Sequence, residues 1–305
     1  MRNAFIKTLF EEASKNKDIF LIVGDLGFGV IEKFQKRYPR QFLNAGVAEQ
    51  NMTGMAAGLA LSGKTVFTYS IANFTILRPL EQIRVDICYH RANVKIVSVG
   101  GGFHYYSLGS THHATEDLSI MRTLPNMTVI APCDPIEASL ATKSVIAKKG
   151  PCYLRLANKA PIIHQTKPKF KIGKAIQLRE GSDITLIATG GMLQDTLDAA
   201  QDLSEHGLQA RVFSMHTIKP IDKGIVINAA QETKAIFTIE DHQVTGGLGS
   251  AVAEILSEMP KRAIIFKRFG IQDLFTKDIG SVEYIKKSLG LKGKQIANQI
   301  IKLLN

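Results

Sequence analysis

The chain has 305 residues, 45% hydrophobic and 21% charged, a composition that supports a sizeable core and excludes a disordered chain. Its formal net charge is +11, but the basic residues are scattered and there is no tryptophan, so the excess fits an anionic ligand or acidic partner better than nucleic acid. No apolar run approaches the roughly 20 residues that cross a bilayer; the acid-bearing start is unlike a signal peptide, and Cys88, Cys133 and Cys152 lack paired spacing, which points to a reducing, cytoplasmic setting without disulfide frame or metal cluster.

In chain order, short β-branched runs alternate with longer amphipathic ones, the α/β pattern of a mostly parallel sheet flanked by helices. The first half offers strands at Ile19–Gly24, Thr65–Ser70, Val94–Gly100, Met127–Ala131 and Cys152–Leu156. Helices are expected near Asn3–Asn16, Glu49–Leu61, Leu80–Arg91 and Pro135–Ala147. Pro132 and Pro135 bracket a strand-to-helix turn, since proline suits a first helical turn. Prolines and lysines with weak periodicity, including Lys167, Lys169, Lys171 and Lys174, mark a solvated linker. A second series follows, with strands at Ile184–Thr189, Ala210–Met215, Ala235–Glu240 and Ala263–Phe269 and a terminal helix near Lys294–Leu303. Two consecutive domains are thus expected, 1–160 and 181–305, with 161–180 between them.

Three stretches carry chemistry. In Asn44-Ala45-Gly46-Val47-Ala48-Glu49-Gln50, Glu49 opens a helix rich in small residues, Gly54, Ala56, Ala57, Gly58 and Ala60, which would let a backbone or flat ring approach. The same acid also complements the helix dipole, without any functional role. The run Thr65–Gln82 places Tyr69 and Phe74 after a strand end, where they stack on a flat ring or simply pack. The loop Leu108-Gly109-Ser110-Thr111-His112-His113-Ala114-Thr115-Glu116-Asp117 follows a strand and Gly100-Gly101-Gly102. Ligands bind beyond the carboxyl ends of parallel strands, and histidine exchanges protons near neutral pH. Adjacent histidines chelate metal poorly, so no metal ligands are expected here.

As an ordered set these stretches resemble the transketolase family. The G-V-A-E-Q helix start, the aromatic strand end, the T-H-H-x-x-E-D loop, Met121-Arg122, Pro132-Cys133-Asp134-Pro135-Ile136-Glu137 and Tyr153-Leu154-Arg155 resemble its pyrimidine-binding domain. Ile187-Ala188-Thr189-Gly190, Lys219-Pro220-Ile221-Asp222, Glu240-Asp241-His242 and Gly246-Gly247-Leu248-Gly249 resemble its C-terminal domain. The resemblance implies thiamine diphosphate as cofactor, with Glu49 relaying a proton at the aminopyrimidine and Phe74 or Tyr69 stacking on it, beside Ser70. It implies His112 as the proton-handling catalytic histidine, and Arg155, His113 and Arg78 as substrate contacts, Arg155 gripping a phosphate. The family's Gly-Asp-Gly motif for the Mg2+-bound diphosphate is not matched; Gly24-Asp25-Leu26-Gly27 is the nearest string. A separate N-terminal subunit is therefore expected to hold Mg2+, in a dimer of heterodimers acting on a small sugar, with no nucleic-acid or membrane partner.

The substrate wall departs from the pattern: Leu108 stands in place of an acid, Ser110 of a proline, His113 of a glutamine and Gly100 of a histidine. The cofactor machinery is kept while the sugar's identity shifts. The alternatives are a 1-deoxy-D-xylulose-5-phosphate synthase-like activity, a 2-oxoacid dehydrogenase β-type subunit, or a basic regulatory subunit that keeps the fold. The T-H-H-x-x-E-D loop favours transketolase over the β-type subunit.

Overall fold

Apolar β-branched runs with no polar alternation require cover on both faces, and here they form the interiors of two sheets. The computed structural model describes residues 1–260 and 264–304. Its strands are β1 Ile19–Val23, β2 Phe42–Asn44, β3 Thr65–Ile71, β4 Val94–Val99, β5 Thr128–Ile130 and β6 Cys152–Leu156 in the first half. The second half contributes β7 Ile176–Arg179, β8 Ile184–Ala188, β9 Ala210–Ser214, β10 Thr217–Lys219, β11 Ala235–Gln243 and β12 Ile265–Ile271. Each expected strand is present within a few residues, except that Ala263, the expected start of the last one, lies outside the described residues.

The first sheet runs β10-β5-β6-β4-β3-β1-β2 and the second β12-β11-β8-β9-β7. All pairings are parallel except β10 on β5 and β7 on β9. Strands β3, β4 and β6 are buried along their whole length, as a sheet covered on both faces demands. The segment read as a linker carries β7, which closes one edge of the second sheet. More unexpectedly, β10 leaves the second half to pair with the first sheet, Thr217 opposite Ile130 and Lys219 opposite Val129. Lys219 Nζ then donates to the carbonyls of Arg122 and Leu124, at 2.8 and 2.6 Å.

The two halves share a continuous apolar core. Ile22, Met52, Val129 and Tyr153 of the first belong to one cluster with Ile187, Met215, Ile236 and Val252 of the second. A buried knot seals the linker. The Asp134 carboxylate accepts from Glu137 N at 2.7 Å as the cap of helix Pro135–Ala147, and from the Ile163 and His164 amides at 3.0 Å. His164 Nε2 meets Glu137 Oε1 at 2.9 Å. Burial would raise Glu137, but the hydrogen bond with His164 and the nearby His216 outweigh it and hold the acid below its ordinary value. Burial would likewise lower His164, and Glu137 reverses this, so the imidazole sits above its ordinary value. Cys133, Asp134 and His164 bring ligand-type atoms within 4.8 Å of one another. In this structure Asp134 and His164 are engaged in the hydrogen bonds just given.

Candidate active site

The site is assembled at the carboxyl ends of β2, β3 and β4, each strand handing over to one of its residues. After β2, Asn44 ties the chain back to β1: its side-chain oxygen accepts from the amides of Asp25 and Gly46, both at 3.0 Å. Gly46 has φ +71°, a conformation other residues adopt at a cost, and it turns the chain into helix Glu49–Leu61. Ala48 offers no side-chain cap, so the first-turn carboxylate of Glu49 is the negative group at the helix's positive end. Glu49 is 3% exposed.

After β3 the chain passes directly into helix Ala72–Leu77, which carries Phe74 half-buried. Asn73 donates to Thr111 O at 2.5 Å and fixes this helix against the loop after β4. That loop delivers His112, whose Nδ1 is hydrogen-bonded to Thr111 Oγ1 at 2.9 Å. The His112 ring meets Phe74 edge-on, with centroids 5.1 Å apart. Arg78 completes the group. Its Nη1 donates to Glu49 Oε2 at 2.8 Å, and its Cζ lies 4.1 Å above the Phe74 ring. Glu49, Arg78, Phe74 and His112 therefore form one continuous cluster, and a cavity of about 430 Å3 opens over Val47–Asn51 and Arg78. Gly54 and Gly58 face outward, with nothing of this chain near enough to touch an added methyl.

The other expected residues lie elsewhere. Tyr69 is 2% exposed and its ring stacks on Phe5 at 5.9 Å, so it serves the core beneath β3 rather than the Glu49 cluster. Ser70 is buried beside Gly24, its hydroxyl without a hydrogen-bond partner, next to a small cavity lined by Tyr69, Gly27 and Tyr105. His113 turns away from His112 and binds Thr276 Oγ1 at 2.9 Å; burial, then the neighbouring His112, lowers its proton affinity.

Arg155, expected to grip a substrate phosphate, lies in this structure within an internal network. The side chain is 3% exposed and internally committed. Nε donates to Asp117 Oδ2 at 2.7 Å, Nη1 to Asp241 Oδ1 at 2.5 Å, and Nη2 to the carbonyls of Ala114 and Asp241. Asp117 also accepts from the buried Tyr153 hydroxyl at 2.6 Å. This clamp joins the two halves of the chain, and its two aspartates lie too far apart in sequence for spacing to reveal it. Tyr105 is a second residue that the sequence does not announce. A Cβ on Gly100 would collide with the Tyr105 ring, so the tyrosine fills the space that a side chain at position 100 would need.

Residues fit to receive an aminopyrimidine are present in this chain: a buried carboxylate at a helix start and a phenylalanine, both in contact with the flat guanidinium of Arg78. Comparison with known proteins gives the family. Residues 1–160 match the transketolase pyrimidine-binding domain and residues 173–296 the transketolase C-terminal domain. A 6-deoxy-6-sulfo-D-fructose transketolase subunit from Clostridium sp. is 38% identical over 298 residues, covering 97% of this chain and 92% of that protein. One of the subunits of an apulose-4-phosphate transketolase from Phocaeicola vulgatus is 41% identical, covering 85% of this chain and 84% of that protein. A solved split-gene transketolase, described as an inactive β4 tetramer, superimposes with a TM-score of 0.88 at 36% identity, covering 99% of this chain and 96% of that one. The chain belongs to the transketolase family, as the part that joins the pyrimidine-binding domain to the C-terminal domain.

Proposed function

We propose that this chain is the C-terminal subunit of a two-chain transketolase that moves a two-carbon ketol unit between sugars. The observation that carries the reading is the Glu49–Arg78–Phe74–His112 cluster beyond the carboxyl ends of the parallel strands. Bound thiamine diphosphate would supply the nucleophilic carbon and the electron sink. Glu49 exchanges a proton at a ring nitrogen of the aminopyrimidine, and its burial keeps water from competing for that hydrogen bond. Phe74 supports the ring face. His112, half-buried and oriented by Thr111, takes and returns a proton at a substrate hydroxyl.

Mg2+ and the diphosphate belong to a partner subunit in this reading. Support comes from the relatives, two of which are named as subunits, and from the split-gene structure, described as inactive in its β4 form. A dimer of heterodimers follows, in the cytoplasm; the three cysteines are unpaired and buried, as a reducing compartment allows. Among the described residues no helix is long and apolar enough to cross a membrane. The sugar is anionic and not a common pentose phosphate. The names of the two relatives specify a sulfonated and a phosphorylated substrate, and Leu108 here is 49% exposed with no side-chain hydrogen bond to offer a hydroxyl.

The test is calorimetry and ketol-transfer assay on the chain alone and mixed with an N-terminal transketolase subunit. The chain alone should bind thiamine diphosphate weakly and turn over nothing; the mixture should bind it in a Mg2+-dependent manner and be active. Glu49→Gln in the mixture should cost about 10²–10⁴ in rate, the usual worth of a positioned acid–base group. Tight Mg2+-dependent binding by the lone chain, or full activity of Glu49→Gln, would sink the reading.

A further inference from the structure

In this chain the pocket over Glu49 already holds a planar, hydrogen-bond-donating group, and that group is a side chain of the protein. Arg78 donates through Nη1 to Glu49 Oε2 at 2.8 Å while its Cζ lies 4.1 Å over the Phe74 ring. These are the two contacts, one polar and one with a ring, that an aminopyrimidine between Glu49 and Phe74 would have to make. Arg78 takes one carboxylate oxygen and covers one face of the ring, so it competes with a pyrimidine for the same two contacts.

We propose that Arg78 is the gate of the pyrimidine pocket, a side chain that mimics the cofactor's ring and must swing out before the cofactor can load. The proposal rests on the reading that Glu49 and Phe74 hold the aminopyrimidine.

The local structure suits a gate. The backbone of Arg78 is anchored, since its carbonyl accepts from Gln50 Nε2 at 3.2 Å in the first turn of the Glu49 helix. It is also followed by Pro79, which fixes its own φ. The side chain is different: 45% of it is exposed, whereas Glu49 beneath it is only 2% exposed. An arginine with a fixed base and a solvent-facing head can leave for water at little cost, and water solvates the freed guanidinium. The carboxylate cannot follow, so the closed gate keeps a buried charge paired until a ligand takes over. Leaving a buried carboxylate without a partner is costly, which is why an empty, open pocket is disfavoured. The gate thus keeps the Glu49 carboxylate paired and covered until a ligand arrives.

The experiment uses thiamine, which carries the pyrimidine and no diphosphate, as the probe on the full-length chain, with binding read by calorimetry and NMR. Wild type should bind it weakly. Arg78→Ala should bind at least about tenfold more tightly, equal to ~1.4 kcal/mol, and should melt at a lower temperature without ligand because Glu49 loses its partner. Equal or weaker binding by Arg78→Ala overturns the gate. A double variant, Arg78→Ala with Phe74→Ala, separates the two ideas: it should lose the gained affinity. If it binds as tightly as Arg78→Ala, the pocket is not where the pyrimidine sits and the parent reading fails. Should thiamine bind neither form of the lone chain, thiamine diphosphate is titrated into the complex with the N-terminal subunit. Arg78→Ala must then lower Kd about tenfold, and an unchanged or higher Kd overturns the proposal.

Discussion

Arg155 carries a full charge with almost no exposure, which is tolerated only because Asp117 and Asp241 surround it. Removing it leaves two buried carboxylates facing each other across the junction of the two halves. Arg155→Ala should therefore destabilise the chain by about 3–5 kcal/mol, read by urea unfolding. Arg155→Lys should recover little, because an ammonium cannot reproduce the forked contacts to both aspartates. A stable Arg155→Ala variant that instead raised KM for anionic sugars would restore the phosphate-anchor role. The contrast with Glu49, Phe74 and His112 shows what a sequence reveals at this scale. Those three follow strand ends within one domain, so motif order alone points to a common place, and the structure brings them into one cluster. Arg155 is fixed by a partner in the other half, and Tyr69 by Phe5 at the start of the chain, contacts that no local pattern displays.

The linker is held by the Asp134–Glu137–His164 knot, where a helix cap and a buried ion pair share one turn. His164→Gln should weaken the chain, with a pH dependence set by the two shifts. His164 is raised, so its contribution is complete below its unfolded value of 6.5 and fades as pH rises through the folded value. Glu137 is lowered, so its contribution is complete above its unfolded value of 4.5 and fades as pH falls through the folded value. The stability gap between wild type and His164→Gln should thus be widest between 4.5 and 6.5 and narrow on both sides, measured by urea unfolding across the range. A gap that does not vary with pH would mean that packing, not charge, holds the knot. The long elements were legible: helices Glu49–Leu61 and Pro135–Ala147 lie where the small-residue run and the proline placed them. The short edge strands β2, β7 and β10 were not. They have three or four residues each, carry polar side chains, and become strands only through the neighbour they pair with.

At the scale of the whole molecule, the two domain-sized halves are not separable bodies. The first sheet ends on β10, and the apolar cluster runs through both. A fragment ending at residue 172 would expose the edge of β5 and the apolar face that Met215, Ile236 and Val252 cover. Such an edge pairs with other chains. The fragment should aggregate on expression, whereas the full chain stays dispersed, as light scattering would show; a monodisperse, cooperatively melting fragment would contradict this. The order of domains along the chain was readable from its alternating runs, but the exchange of one strand across them was not. That exchange also sets a timetable for synthesis. Ile130 leaves the ribosome long before Thr217, its neighbour across the sheet, so the nascent first half must wait with one flank bare until the second has been translated as far as β10. A pause in translation between the two would prolong that vulnerable interval, and a chaperone that shields strand edges would matter most there.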